Sequence, residues 1–322
     1  MSRKPQNKLR EAIPIPPPAP LPEPETIDFG GIFNEYASGA IDLIVVLGPT
    51  ASGKTRFAVD LARRCGNGEI LSADSRQVYR GMDIGTGKDL DEYGDVPYHL
   101  IDIVPAGTRF DLYQWQQAFE DAYKDIRDRG KTPILCGGTG LYIQAATCGY
   151  TLPQVPPNEE LRDELERYST ETLISKLKGF GPLPDEGVLQ SKRRIIRALE
   201  VAMYESEHPV KRTGFMPKNP YCIGTLVSRE DRVARIDKRL DERLAGGMIE
   251  EVKGLLDSGI RPEDLVYYGL EYKFVTQYVL GILTFEEMRT LLANAIHQFA
   301  KRQMTWFRGM EKDGITIHWT EV

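Results

Sequence analysis

Four short apolar runs, at 43–47, 69–72, 98–103 and 132–136, recur through the first half of the chain with helix-patterned stretches between them. Phe57, Ala58, Leu61 and Ala62 repeat at helical spacing after the first run. Leu112, Trp115, Phe119, Ala122 and Ile126 mark one face of another amphipathic helix before the last. That alternation predicts an α/β fold, a parallel sheet wrapped by helices. Glycines and prolines cluster between 149 and 157. From Glu159 onward the pattern is mainly helical and heavily charged, with apolar faces around 231–257 and 285–307. Gly179-Phe180-Gly181-Pro182-Leu183-Pro184 breaks it once.

Residues 13–24 are too dense in proline to join a helix or a central strand, because φ is fixed and most backbone donors are missing. An extended tail is expected there, with order beginning near 29–36. The chain thus divides into a proline-rich tail (1–40), a phosphate-loop α/β core (41–150), a helical insertion (151–210) and a helical C-terminal part that completes the core (211–322).

Composition narrows the class. With 322 residues, 41% hydrophobic and 27% charged, the chain has the balance of a soluble globular protein. No stretch approaches the roughly 18 consecutive apolar residues of a membrane span. A proline-rich segment stands where a secretory signal needs an apolar one, so a cytoplasmic protein without a membrane partner is expected. Cys65, Cys136, Cys148 and Cys222 form no CxxC pair and read as reduced, mostly buried thiols.

Candidate chemistry begins directly after the first apolar run. Gly48-Pro49-Thr50-Ala51-Ser52-Gly53-Lys54-Thr55 is a complete phosphate-binding loop between a strand and a helix. Its glycines let backbone N–H groups curl around phosphate oxygens, Lys54 neutralises their charge, and the Thr55 hydroxyl can reach Mg²⁺. The loop alone leaves kinases, hydrolases and diphosphate-using transferases open. The next strand exits into Ser72-Ala73-Asp74-Ser75-Arg76-Gln77, which puts Asp74 beside the loop at the carboxyl edge of the sheet, or else makes it a turn cap. A further exit, Cys136-Gly137-Gly138-Thr139-Gly140-Leu141-Tyr142, offers a hydroxyl among glycines but no acid. The nearest candidate for a Walker-B carboxylate is Asp102 in His99-Leu100-Ile101-Asp102.

Four pieces in this order resemble the tRNA dimethylallyltransferases, also called tRNA isopentenyltransferases: the loop at 48–55, the segment 72–88, His-Leu-Ile-Asp at 99–102 and Gly-Gly-Thr-Gly-Leu-Tyr at 137–142. The segments 193–201, 235–239 and 300–308 also look like the family, so the resemblance covers roughly 41–320. It implies transfer of a dimethylallyl group from its diphosphate to N6 of the adenosine just 3′ to the anticodon, position 37, with Mg²⁺. On that resemblance the loop holds a diphosphate leaving group, Arg235 adds a contact, and Asp74 is the base that accepts the N6 proton. Ser75, Arg76, Gln77 and Thr139 then face the substrate nucleotide, with Thr139 near the reaction centre. Arg193, Arg194, Ile195, Ile196 and Arg197 belong to an insertion that contacts the tRNA anticodon stem-loop. The partners implied are tRNA and dimethylallyl diphosphate, and one complete site per chain suits a monomer.

The net charge of −6 is unusual for a nucleic-acid binder, so patches must carry the contact: Lys192, Arg193, Arg194 and Arg197, and Lys301, Arg302 and Arg308. Trp306 and Phe307 are candidates for base stacking or for helix packing. Gln190-Ser191 departs from the family pattern, and so does the segment Tyr268-Gly269-Leu270-Glu271-Tyr272-Lys273-Phe274, which replaces a pattern that commonly reads Gly-Tyr-Lys-Glu. The departures point to a divergent member or second paralogue. Two rival readings share the loop: an ATP-dependent small-molecule or nucleoside kinase, and an inactive tRNA-binding paralogue.

Overall fold

The computed structural model describes residues 20–210 and 212–322. The first half of the chain forms α1 (Phe29–Ser38), β1 (Leu43–Leu47), α2 (Lys54–Cys65), β2 (Gly68–Ser72), β3 (Tyr79–Arg80), β4 (Tyr98–His99), β5 (Val104–Pro105), α3 (Leu112–Asp128), β6 (Thr132–Gly137), α4 (Gly140–Cys148) and β7 (Leu152–Pro153). There follow α5 (Glu159–Glu166), α6 (Thr170–Lys178), α7 (Glu186–Leu189), α8 (Lys192–Glu207), β8 (Arg212–Thr213) and β9 (Pro220–Leu226). The chain closes with α9 (Arg229–Ala245), α10 (Met248–Asp257), α11 (Pro262–Tyr267), α12 (Leu270–Val279), α13 (Phe285–Lys312) and β10 (Ile317–Glu321).

β1, buried along its whole length, lies inside a six-stranded parallel sheet ordered β10-β9-β1-β6-β2-β4. Alternation of side chains splits the core in two. Leu43, Val45, Leu47, Leu71 and Leu135 pack with Trp115 and Phe119 of α3, Ile143 of α4 and Phe307 of α13. Ile44, Val46, Ile70 and Ile134 face Ala58, Leu61 and Ala62 of α2. The parallel register brings the strand exits together: Leu47 pairs with Gly137 and Gly224, and Ser72 with Cys136. Ligands bind at such a carboxyl edge in open α/β sheets.

The expected runs at 43–47, 69–72 and 132–136 are β1, β2 and β6. The run 98–103 yields only β4, because Leu100 and Asp102 take left-handed φ values of 67° and 57°. β9 and β10 were not expected from the sequence and extend the sheet beyond β1. The helices α5, α6 and α8 pack around their own small core of Leu165, Leu173, Leu177, Ile195, Ile196 and Leu199.

Order is present where the sequence expects it, near 29–36, so the inner end of the 1–40 segment belongs to the fold. Residues 1–19 lie outside the described residues, but 29–38 form α1, capped by the Asp28 carboxylate at Gly31 N–H and closed by Gly39 at φ 80°. Ile27, Ile32 and Ile41 are buried against the α2 side of the sheet. Glu25 N–H donates to the Trp319 carbonyl at 2.7 Å, which ties this segment to β10.

Candidate active site

The phosphate loop leaves β1 at Leu47 and feeds α2 at Lys54, with Ala51 at φ 61° and Gly53 at φ 81° supplying the left-handed turns. A Cβ on Gly48 would sit 2.2 Å from Thr225 Oγ1, so only glycine fits where the loop passes β9. Ser52 and Thr225 share a buried hydroxyl contact of 2.7 Å. From the other side the Gln303 amide of α13 bridges two loops. Its Oε1 accepts from Thr50 N–H at 2.8 Å, and its Nε2 donates to the Gly138 carbonyl at 2.8 Å.

The exits of β2 and β6 are laced to each other. Ala73 N–H donates to the Cys136 carbonyl at 2.8 Å, Thr139 N–H to the Ala73 carbonyl at 3.1 Å, and Ser75 N–H to Thr139 Oγ1 at 3.0 Å. Asp74 Oδ1 accepts from Arg76 N–H at 2.9 Å, so the turn-cap reading of Asp74 holds as well, and the carboxylate lines the cavity. Gln77 accepts from Ser72 Oγ at 3.1 Å and donates to the Gly87 carbonyl at 3.1 Å, which keeps one N–H and one lone-pair direction for a ligand. Arg76 lines the cavity as well and donates to the Tyr267 carbonyl at 2.6 Å.

Two adjoining spaces result. A cavity of about 490 Å³ is lined by Lys54, Asp74, Gln77, Thr139, Glu271 and Trp306, among others. A more open one of about 950 Å³ is lined by Gly53, Lys54, Thr55, Arg235, Arg239 and Arg243. The three arginines stand at i, i+4 and i+8 of α9, on one helical face beside the loop. Burial pulls the Lys54 ammonium below its ordinary range, opposed by Cys136 and Asp74. Burial, then Arg243, lowers the Arg239 guanidinium, although Arg239 also pairs with Asp89. Burial raises the Glu271 carboxyl, with Arg243 and Arg76 pulling it back. Cationic groups held partly desolvated around one space form a site for a polyanion.

Residues 77–310 match the family model described as IPP transferase, and residues 41–93 match the one described as Isopentenyl transferase. The chain belongs to the IPP transferase family. This family member is 56% identical over 283 residues to tRNA dimethylallyltransferase 1 of Porphyromonas gingivalis, covering 87% of this chain and 93% of that one. It is 50% identical over 284 residues to tRNA dimethylallyltransferase 2 of Bacteroides fragilis, covering 87% and 92%. Among solved structures it resembles the full-length tRNA isopentenylpyrophosphate transferase of Bacillus halodurans, with TM-score 0.64, 36% identity and coverage of 87% and 89%. A eukaryotic dimethylallyltransferase crystallised in the act of modifying tRNA shares the fold at TM-score 0.68 and 23% identity.

In this IPP transferase family member Gly48 to Thr55, Arg235, Asp74, Gln77 and Thr139 all border the two joined cavities or brace their walls. The expected insertion residues lie apart, on α8. Arg193 and Arg197 line a third groove with Arg109, Tyr113 and Arg162, and Leu141 borders both this groove and the smaller cavity. Ile195 and Ile196 are buried in the core of the insertion, where they anchor the helix that carries the arginines, and Ile196 also lines the floor of the third groove. Arg194 donates to the Gly187 carbonyl at 2.9 Å, and Arg197 pairs with buried Glu200. Asp102 is not a Walker-B group, because it pairs with Lys88, itself only 1% exposed and also bound to Asp83. Arg239, Arg243 and Gln303 are the site residues that the sequence did not disclose. The arginines had a signal in their four-residue spacing, which reads equally as a solvated face.

Proposed function

We propose that this chain transfers a dimethylallyl group from dimethylallyl diphosphate to N6 of the adenosine immediately 3′ to the anticodon of tRNA, releasing diphosphate. The observation that carries the reading is the union of a phosphate cradle and Asp74 across one continuous space, in a member of this family. The bond from C1 of the allyl group to the bridging diphosphate oxygen breaks as the bond from C1 to N6 forms. The N6 proton passes to the Asp74 carboxylate. The adenine amine is a weak nucleophile because its lone pair is delocalised, and a positioned base is typically worth ~10²–10⁴-fold. Charge developing on the departing diphosphate meets the loop N–H groups, Lys54, Arg235, Arg239 and Arg243, which are already in place. Gln77 reads the adenine edge, and Thr139 holds Ser75 beside it. The adenosine must leave its stack to reach this depth, at a cost of a few kcal/mol that a flexible anticodon loop keeps low.

Mg²⁺ fits the donor set as a companion of the diphosphate. Among the described residues no cluster of three or more His, Cys, Asp or Glu could cage an ion. Mg²⁺ commonly keeps water and substrate phosphates as ligands with few protein groups. The Thr55 hydroxyl would hold it, and the ion would neutralise part of the diphosphate charge. Phosphate contacts from Arg193 and Arg197 would position the anticodon stem-loop across the third groove. No helix among the described residues is long and apolar enough to cross a membrane, which accords with a cytoplasmic enzyme. One chain supplies every residue named, which accords with a monomer.

The test is incubation of unmodified tRNA with dimethylallyl diphosphate and Mg²⁺, digestion by a base-specific ribonuclease to oligonucleotides, and mass spectrometry of the anticodon-loop fragment. An adenosine gaining one C₅H₈ unit at the position 3′ to the anticodon is expected. Phosphoryl transfer from ATP without prenylation would instead support the kinase, and tRNA binding with neither reaction the inactive paralogue.

A further inference from the structure

Glu251 of α10 does something that the reaction as described does not use. Its carboxylate accepts three consecutive backbone N–H groups: Asp83 and Ile84 on Oε2, each at 2.7 Å, and Gly85 on Oε1 at 3.0 Å. The Tyr272 hydroxyl of α12 donates to the same Oε1 at 2.7 Å. A Cβ on Gly85 would lie 2.7 Å from the Tyr272 ring, so the loop is pressed flat against it. A carboxylate that takes four donors is saturated and has its rotamer fixed.

The loop held in this way ends at Gly87, whose carbonyl faces the site. It accepts from Gln77 Nε2 at 3.1 Å and, more loosely, from Arg239 Nη2 at 3.4 Å. Gln77 could present its amide either way round, and the orientation with oxygen toward Ser72 is the one that the Gly87 carbonyl selects. Gly87 itself, at φ 62°, leaves no room for a side chain beside Arg243. Buried Lys88 closes the loop on its far side through Asp83 at 2.5 Å and the Tyr79 carbonyl at 2.7 Å.

We propose that Glu251 and Tyr272 are a positioning pair for the transfer, fixing the 83–88 loop so that the Gly87 carbonyl holds the Gln77 amide in the orientation that reads adenine. The proposal rests on the reading of Gln77 given above. The Tyr272 hydroxyl adds a contact from α12 to the same carboxylate that α10 presents to the loop, so two helices secure it. Glu251 lies outside the smaller cavity and Tyr272 borders it; the hydroxyl of Tyr272 acts on the loop through the Glu251 carboxylate, and the loop acts through Gly87.

The test is a double-mutant cycle on kcat/KM for tRNA at saturating dimethylallyl diphosphate, with Glu251→Gln, Gln77→Ala and the pair. Glu251→Gln should lower kcat/KM roughly tenfold, mainly through KM for tRNA, and have less than about a twofold effect once Gln77 is alanine. Tyr272→Phe, which removes one oxygen, should act in the same direction by roughly threefold with an unchanged melting temperature, and it decides the matter if Glu251→Gln does not fold. Full additivity in the cycle, with Gln77→Ala itself costly, would overturn the positioning role and leave the Gln77 reading intact. An inert Gln77→Ala would overturn that reading and the proposal with it. Normal kinetics in Tyr272→Phe and Glu251→Gln would overturn the proposal alone.

Discussion

Asp74 is a turn-former and a candidate base at once, and the two roles separate by substitution. Asparagine keeps an oxygen for the Arg76 N–H and loses the basicity. Asp74→Asn should lower kcat by ~10²–10⁴-fold with little change in KM for either substrate or in melting temperature. A large loss of stability instead would make Asp74 a structural cap. Lys54→Ala should abolish measurable turnover and weaken binding of the donor, because the ammonium, 3.5 Å from the Pro49 carbonyl, lines both cavities and supplies positive charge where the diphosphate departs. The sequence disclosed both residues because each belongs to a local motif whose spacing has a chemical reason. It could not disclose Gln303, whose partner Thr50 is 253 positions away, nor the fate of Asp102, which depended on where Lys88 would be buried.

Helix α13 shows how one element serves packing and site together. Phe307 is fully buried between the sheet and the C-terminal helices, whereas its neighbour Trp306 is 38% exposed at the mouth of the smaller cavity. Gly140 lies so close beneath Trp306 that a Cβ would come within 2.3 Å of the ring. Phe307→Ala should cost ~3–5 kcal/mol of stability in denaturant melts. Trp306→Ala should leave stability nearly unchanged and raise KM for tRNA, with base stacking worth ~1–3 kcal/mol. Periodicity alone assigned both aromatics to one helix and could not tell its two faces apart. Strand β2 carries a different device: Glu69, 4% exposed, binds Arg129, the residue that closes α3, and His99 of β4. The hydrogen bond from Arg129, then that from His99, holds the Glu69 carboxyl down at about 2 against an ordinary 4.5. A depressed carboxyl stabilises the fold above its unfolded value and loses that contribution as pH falls through the interval. Between pH 4.5 and about 2 the wild type should therefore lose up to ~3 kcal/mol that Glu69→Gln does not lose, read from urea melts across the range.

For the molecule as a whole, the apolar runs and the glycine motif were enough to read the α/β core, since β1, β2 and β6 are bounded by their own sequence. The two strands beyond β1 were not legible: β9 and β10 lie in a part of the chain whose pattern reads as helical and charged, and β9 finds its place only by pairing with β1 and β10 only by pairing with β9. Helix α1 was hidden for a similar reason, because its worth lies in burying Ile32 on a distant face. Net charge has to be read locally at this level. The chain carries −6 overall, and the groove lined by Arg109, Arg162, Arg193 and Arg197 also holds Asp111, Glu159, Asp163 and Glu166, so the individual exposed arginine counts and not a uniformly basic surface. Exposed Arg193 should contribute a phosphate contact, so Arg193→Ala should weaken tRNA binding uniformly and reduce the salt slope of log K by about 0.7–0.9.

The most direct measurement is the single-turnover rate of prenyl transfer to tRNA at saturating enzyme and donor, wild type against Asp74→Asn, with the product nucleoside placed by digestion and mass spectrometry. Expected is transfer to N6 of the adenosine 3′ to the anticodon, slowed ~10²–10⁴-fold in the variant while tRNA and donor binding persist. Undiminished transfer by Asp74→Asn, or a wild-type product elsewhere in the tRNA, would contradict the assignment of Asp74 as the base in a site built around the flipped adenosine.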